Sequence, residues 1–302
     1  MTRRTFLTAA AAAPVMLQAA PQKPVLCIFS KHMAQFNYDE LGRHAREIGF
    51  DGVDLTVRPK GHVLPERAKE DLPRAVEAIR GHKLEVPMIT TGITSPSDPA
   101  TRPILSTAAQ LNIPYWKPGY FRYAPEQDVV ARIEEVKQTT AQLASLSEEY
   151  GIAAGFHNHS GDYVGSAVWD IRWIIRDLDP RWIGYYYDPA HATVEGGLAG
   201  WRISQNIASK RLKMVALKDF YWSKGSSGWK VEWCPIGEGM VNWPKVFAAF
   251  AKSGFSGPLT LHVEYHAKDE LEAIAKDYEF IRKQIAAAYS SPETRAQRTR
   301  AV

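Results

Sequence analysis

The sequence predicts a single α/β domain, a (β/α)8 TIM barrel. Strand-like and helix-like segments alternate eight times along the chain. About 280 of the 302 residues remain once an N-terminal leader is set aside, a length that suits one large α/β domain. No G-x-G-x-x-G opens the first helix, and no linker, short repeat or change of composition divides the chain, which speaks against an open doubly wound sheet.

Residues 1–20 read as a leader outside the domain. Arg3-Arg4 is followed by Phe6-Leu7, an apolar run to Val15 and small residues before Pro21, the order of a twin-arginine secretion signal. This predicts a protein that folds, and loads any metal, before export to the periplasm or beyond. The apolar run falls short of the roughly 20 residues that cross a bilayer, so no membrane span is expected in the mature chain. The barrel is expected over 21–289, and a polar, disordered tail over 290–302.

Within the barrel, residues 25–29 form a first apolar strand that ends in Ser30-Lys31-His32. Residues 38–48 are helix-like and stop at Gly49, a residue suited to a helix C-cap. Further strands are expected at 52–57, 86–90, 114–117, 152–156, 183–187, 212–217 and 259–264. Helices are expected at 71–80, 103–111, 168–178, 201–208 and 243–251. Val129, Ile133, Val136, Thr140, Leu143 and Leu146 step by three and four along a long amphipathic helix closed by Gly151. Leu271, Ile274, Tyr278, Ile281 and Ile285 mark the last helix. Cys27 falls in the first strand and Cys234 in a loop before the seventh helix, and both are expected to be free thiols.

The formal charge of +4 drops to +2 without Arg3 and Arg4, since no acidic residue lies in the leader. So small an excess argues against nucleic acid as a partner. Thirteen tyrosines and nine tryptophans are compatible with a carbohydrate ligand, because sugars pack on aromatic faces, although aromatics also fill cores. The oligomeric state is left open.

In parallel barrels the chemistry lies where strands give way to loops. There the sequence places Lys31 and His32, then Arg58, His62 and Glu66, then Lys117, Tyr120 and Arg122. It continues with His157, Asn158 and His159, then Asp188 and His191, then Lys218 and Asp219, then His262, Glu264 and His266. Histidine is a metal ligand and an acid–base group near neutral pH, so its convergence on one rim predicts a site. Side chains alternate faces along a strand, so His157 and His159 share a face, as do His262 and Glu264. His157, Asp188 and His262 could then surround one divalent ion, with zinc, manganese, iron and cobalt all suited to two imidazoles and a carboxylate. The alternative is a hydrogen-bonded network without metal.

Several segments carry a resemblance to the xylose isomerase-like TIM-barrel family, the sugar phosphate isomerase/epimerase superfamily. They are Gly49-Phe50-Asp51-Gly52-Val53-Asp54-Leu55, Tyr187-Asp188-Pro189-Ala190-His191-Ala192, Leu217-Lys218-Asp219 and Pro235-Ile236-Gly237-Glu238-Gly239. The stretch from Leu55 through Val63 resembles an exported branch of it. The resemblance implies a metal held by glutamate, aspartate, histidine and glutamate on the fifth to eighth strands, with the two glutamates moving a proton between sugar carbons. Asp188 and His191 match. His157 stands for the first glutamate, Ala216 for the histidine, and His262 for the second glutamate, with Glu264 two residues on. The usual four-ligand site is therefore not expected. Either a rearranged one remains, or histidines do the acid–base work themselves.

The resulting expectation is a sugar isomerase or epimerase that acts through an enediolate on a small carbohydrate. His157, His262 and Glu264 are the candidate catalytic residues, and Arg58, His62, Lys117, His159, His191 and Lys218 the candidate substrate contacts. A lyase or hydrolase of keto-sugars or keto-glycosides begins with the same proton abstraction, and a non-catalytic carbohydrate-binding barrel would tolerate the lost ligands.

Overall fold

The computed structural model describes residues 23–290. The expected leader lies outside the described residues, as does the expected tail beyond Ser290. In chain order the elements are β1 (Leu26–Phe29), α1 (Tyr38–Ile48), β2 (Gly52–Val57), α2 (Ala68–Gly81), β3 (Glu85–Thr91) and α3 (Thr101–Gln110). They continue with β4 (Tyr115–Lys117), α4 (Val129–Tyr150), β5 (Ala153–His157), α5 (Val168–Ile175), β6 (Ile183–Tyr187) and α6 (Pro189–Ala208). The chain then forms β7 (Leu212–Leu217), β8 (Asp219–Gly225), β9 (Gly228–Cys234), α7 (Trp243–Lys252), β10 (Leu259–Leu261) and α8 (Glu270–Tyr289).

Eight strands close into a barrel in the order β1-β10-β7-β6-β5-β4-β3-β2, every neighbouring pair parallel. Buried on both faces, the strands read as nearly unbroken apolar runs. The helices start and stop where the sequence supplies caps. Asn37 accepts from the backbone of Asp39 and Glu40, Glu40 reaches back to Asn37 N, and Gly49 ends α1 at φ 115°. Asp128, accepting from Ala131 N, starts α4, and Gly151 at φ 70° ends it. The main apolar core lies between the strands and the helix ring, whereas a small second cluster of Met88, Tyr186, Met214 and Ala216 lies apart from it. Above that cluster Thr90 and Tyr186 donate to the buried carboxylate of Asp54, at 2.8 and 3.3 Å. Among the described residues, no helix is long and apolar enough to cross a membrane.

The structure departs from expectation in three places. Helix α6 begins at Pro189, not near Trp201, because Asp188 caps it and Pro189 fits its first position. Gly197 (φ 57°, ψ −152°) kinks it, and that break hides the first half from a periodicity reading. The second departure is an antiparallel hairpin, β8–β9, where a loop was expected. Gly225 pairs with Gly228 across Ser226-Ser227, and Cys234 ends its second strand instead of lying in a loop. The last barrel strand ends at Leu261, so His262 and Glu264 belong to the loop beyond it, although His262 N still donates to Leu217 O. Cys27 and Cys234 are buried free thiols.

Candidate active site

The strand ends enclose a cavity of about 190 Å³. Eight of the candidate site residues line it: Arg58, Lys117, His157, His159, His191, Lys218, His262 and Glu264. Phe29, Tyr120, Tyr186 and Trp233 add aromatic surface. Two candidates are absent from the lining. His62 turns away because residues 58–63 fold back on β2: Arg58 N donates to Val63 O, Val63 N to Thr56 O, and His62 N to Thr56 Oγ1. Its Nδ1 lies 3.4 Å from the same hydroxyl. Asp188 is fully buried beneath the lining.

Asp188 organises one wall. Its Oδ1 caps α6 by accepting from His191 N at 2.9 Å. Its Oδ2 lies 3.1 Å from Lys218 Nζ, 3.4 Å from His157 Nε2 and 3.8 Å from His191 Nε2. Asn158 clamps the backbone of the same residue from both sides, accepting from Asp188 N and donating to Asp188 O. Burial alone would raise the Asp188 carboxyl, but the Lys218 ammonium and then the adjacent imidazoles outweigh it and hold the group well below the usual carboxylate range.

His157 is sequestered between two partners. A carboxylate only accepts, so Nε2 carries the proton toward Asp188, and Nδ1 accepts from the Tyr120 hydroxyl at 2.8 Å. Burial lowers its pKa to about 3 against the pull of Asp188, which keeps the ring neutral. The Tyr186 ring stacks on it at 4.5 Å. Tyr120 lines the cavity beside His157 and occupies its Nδ1 lone pair. Lys117 Nζ sits 3.3 Å over the Tyr120 ring, and burial, with Arg58 second, lowers that amine well below its ordinary value. His159 packs on His191 at 3.9 Å, and burial lowers its pKa to about 4.

The facing wall comes from β1 and β10. His262 stacks on Phe29 at 4.5 Å, and its Nε2 lies 3.1 Å from Tyr186 Oη. Glu264 Oε2 accepts from Lys31 at 2.8 Å. Burial would raise Glu264, but Lys218 and then Lys31 prevail and lower it. The rings of His157 and His262 are 6.3 Å apart, centre to centre.

The positions to which the resemblance assigns a metal do not fit one. Ala216 offers no donor atom and belongs to the small apolar cluster. Both oxygens of Asp188 are engaged, one by a backbone N–H and the other by an ammonium. The expected trio of His157, Asp188 and His262 does not converge either: Nε2 of His157 points a proton at Asp188, while Nε2 of His262 is bound to Tyr186. Tyr120 stood among the strand-end residues without a role, because sequence alone does not show which aromatic side chain a histidine will meet.

The match to the xylose isomerase-like TIM barrel family spans residues 43–284. The chain belongs to this family. Among curated proteins, none matches the sequence. Among solved structures, D-allulose 3-epimerase from Methylomonas sp. is similar at 15% identity and TM-score 0.66, over 88% of this chain and 100% of that one. The 3-keto-D-glucoside 4-epimerase of E. coli is similar at 15% identity and TM-score 0.67, over 86% and 100%. A xylose isomerase-like barrel from Mycobacterium smegmatis, in complex with magnesium, is similar at 16% identity and TM-score 0.65, over 91% and 100%. At these identities the likeness is one of fold.

Proposed function

We propose that this family member is an exported isomerase or epimerase of a small carbohydrate that works by moving a proton beside a carbonyl. The observation that carries the reading is the pair of polar walls facing one another across a single cavity. On one wall Tyr120, His157 and Asp188 form a relay: the phenol meets the ligand, and the neutral imidazole behind it takes or returns the proton while Asp188 steadies the ring. On the other, His262 and Glu264 approach the same ligand from the opposite side. Lys218 and Arg58, with Lys117 beside them, supply donors where the enediolate oxygen would form. A cavity of about 190 Å³ lies below the roughly 300–1,000 Å³ of drug-sized sites, which favours a single sugar unit. That the known structures of similar fold include sugar 3- and 4-epimerases adds support.

The test is proton exchange with solvent. Ketoses and keto-glycosides are incubated with the protein in D2O, and deuterium beside the carbonyl is followed by NMR. The reading expects incorporation with at least one class and its loss in His157→Ala and in His262→Ala, both still folded. Equal incorporation by wild type and the His157→Ala variant would remove the relay from the mechanism.

A further inference from the structure

Opposite the relay, two buried imidazole nitrogens bond to nothing. Nε2 of His32 and Nδ1 of His262 are shielded from solvent and lack a hydrogen-bond partner, and their side chains are 9% and 5% exposed. Both approach one atom, Oε1 of Glu264, at 4.0 and 3.8 Å. Those separations are too long for hydrogen bonds. The second carboxylate oxygen is already taken by Lys31. The ligand atoms of the three residues lie within 4.8 Å of one another, and theirs is the one such group of histidine, cysteine, aspartate or glutamate found among the described residues.

We propose that His32, His262 and Glu264 form a binding site for a divalent transition-metal ion, on the β1–β10 side of the cavity; of the four positions that the resemblance gives to a metal, it uses that of His262 alone. Buried polar atoms are almost always partnered, and three lone-pair donors aimed at one small volume are satisfied together by a cation. The donor set of two imidazoles and one carboxylate suits zinc, manganese, iron or cobalt, and leaves coordination positions for a ligand in the cavity.

The surroundings hold His262 ready. Tyr186 donates its hydroxyl proton to Asp54, so its oxygen accepts from Nε2–H of His262. That hydrogen bond fixes the tautomer in which Nδ1 keeps its lone pair, as outer partners of ligating histidines do. Phe29, stacked at an interplanar angle of 23°, sets the ring plane. The competitor is Lys31, 43% exposed, which shares the carboxylate. Binding does not depend on the proposed function. Only its use does: an ion here would polarise a sugar carbonyl facing the relay, and His262 and Glu264 would act as its ligands instead of as carriers of a second proton.

The experiment strips the purified full chain with a chelator and titrates it with Co2+, following the visible absorption of bound cobalt and the thermal unfolding. One equivalent is expected, with a rise in Tm. Affinity should fall at least tenfold in His32→Ala and in the near-isosteric Glu264→Gln, rise in Lys31→Met, and stay unchanged in His157→Ala. Circular dichroism establishes that each variant is folded. Absence of binding, or equal binding by the His32→Ala variant, overturns the site; loss of binding in His157→Ala moves the ion to the relay wall and overturns it as well. A protein that binds cobalt but exchanges no deuterium would lose the proposed function and keep the metal site.

Discussion

His157 has no nitrogen to spare, because one receives the Tyr120 proton and the other is turned to Asp188. In the proposed relay the phenol is therefore the group that hands the proton to the ligand. Tyr120→Phe keeps the ring and deletes the proton, so kcat should fall by about 10²–10⁴, the usual worth of a general acid or base, while KM changes little. A large rise in KM at constant kcat would make Tyr120 a binding residue only. Behind the relay, Lys218 is the cation that makes a buried Asp188 affordable in the barrel. Both side chains are almost fully buried, so Lys218→Met leaves an uncompensated charge and should cost about 3–5 kcal/mol in urea unfolding. A change below about 1 kcal/mol would show that the imidazoles neutralise Asp188 unaided. The sequence identified the histidine rim and Asp188 because polar residues at strand ends have few structural uses. It did not reveal that Lys218 takes the carboxylate assigned to a metal, since an ammonium and an ion compete for the same oxygen only in three dimensions. Nor did it single out His32, which a turn of 3-10 helix directly after β1 carries beside β10.

Elements were legible where capping and periodicity agreed. Gly49, Gly151 and the steps from Val129 to Leu146 mark two helices in the sequence, and the fold adds the caps at their starts, Asn37 with Glu40 and Asp128. The β8–β9 hairpin was also written in the chain, as two seven-residue arms about Gly225-Ser226-Ser227-Gly228, but a scan for βα units passes over it. Its base is tied to the barrel by Asp219. That carboxylate accepts from Phe220 N, Gly237 N, Val241 N and the Trp243 indole at 2.7–3.2 Å, which explains why Lys218-Asp219 and Pro235-Ile236-Gly237-Glu238-Gly239 belong together. Asp219→Ala strands four donors and should cost about 3 kcal/mol or more, read from the denaturation midpoint. Gly239→Ala should be poorly tolerated too, because its Cβ would lie 2.2 Å from Asp219 Oδ1 and 2.4 Å from Phe220 O. Wild-type stability in both variants would show that the loop, and not this carboxylate, holds the hairpin in place.

For the molecule as a whole, the density of buried histidine sets the response to acid. Burial lowers six histidines, His32 and His159 to about 4 and His157 to about 3, with His62, His191 and His262 shifted the same way. Unfolded histidine titrates near 6.5, so between there and pH 4 the unfolded chain binds more protons and stability falls as pH falls. Asp54 and Asp277 oppose this. Burial raises each to about 7, so the folded state keeps protons the unfolded one has lost, and their contribution declines as pH rises from about 4 to 7. Six groups against two should make Tm drop from pH 7 to pH 4.5, and Asp277→Asn should steepen the drop. A Tm that is flat or rising toward acid would mean that the carboxyls dominate. The barrel was readable from the sequence because alternation of strand and helix is a property of the whole chain. The site was readable only as a list of residues, because its pairings cross between strands.

The hairpin that begins at Asp219 follows Lys218 without a spacer and returns Trp233 to the cavity. The part of the cavity wall that Trp233 supplies is thus interchangeable. It enters and leaves the barrel between β7 and α7, and it could lengthen, shorten or change its aromatics without disturbing strand register. New ligand preferences would meet least resistance there, and grafting another member's hairpin between Asp219 and Pro235, with the Asp219 carboxylate kept, is the corresponding route for an engineer.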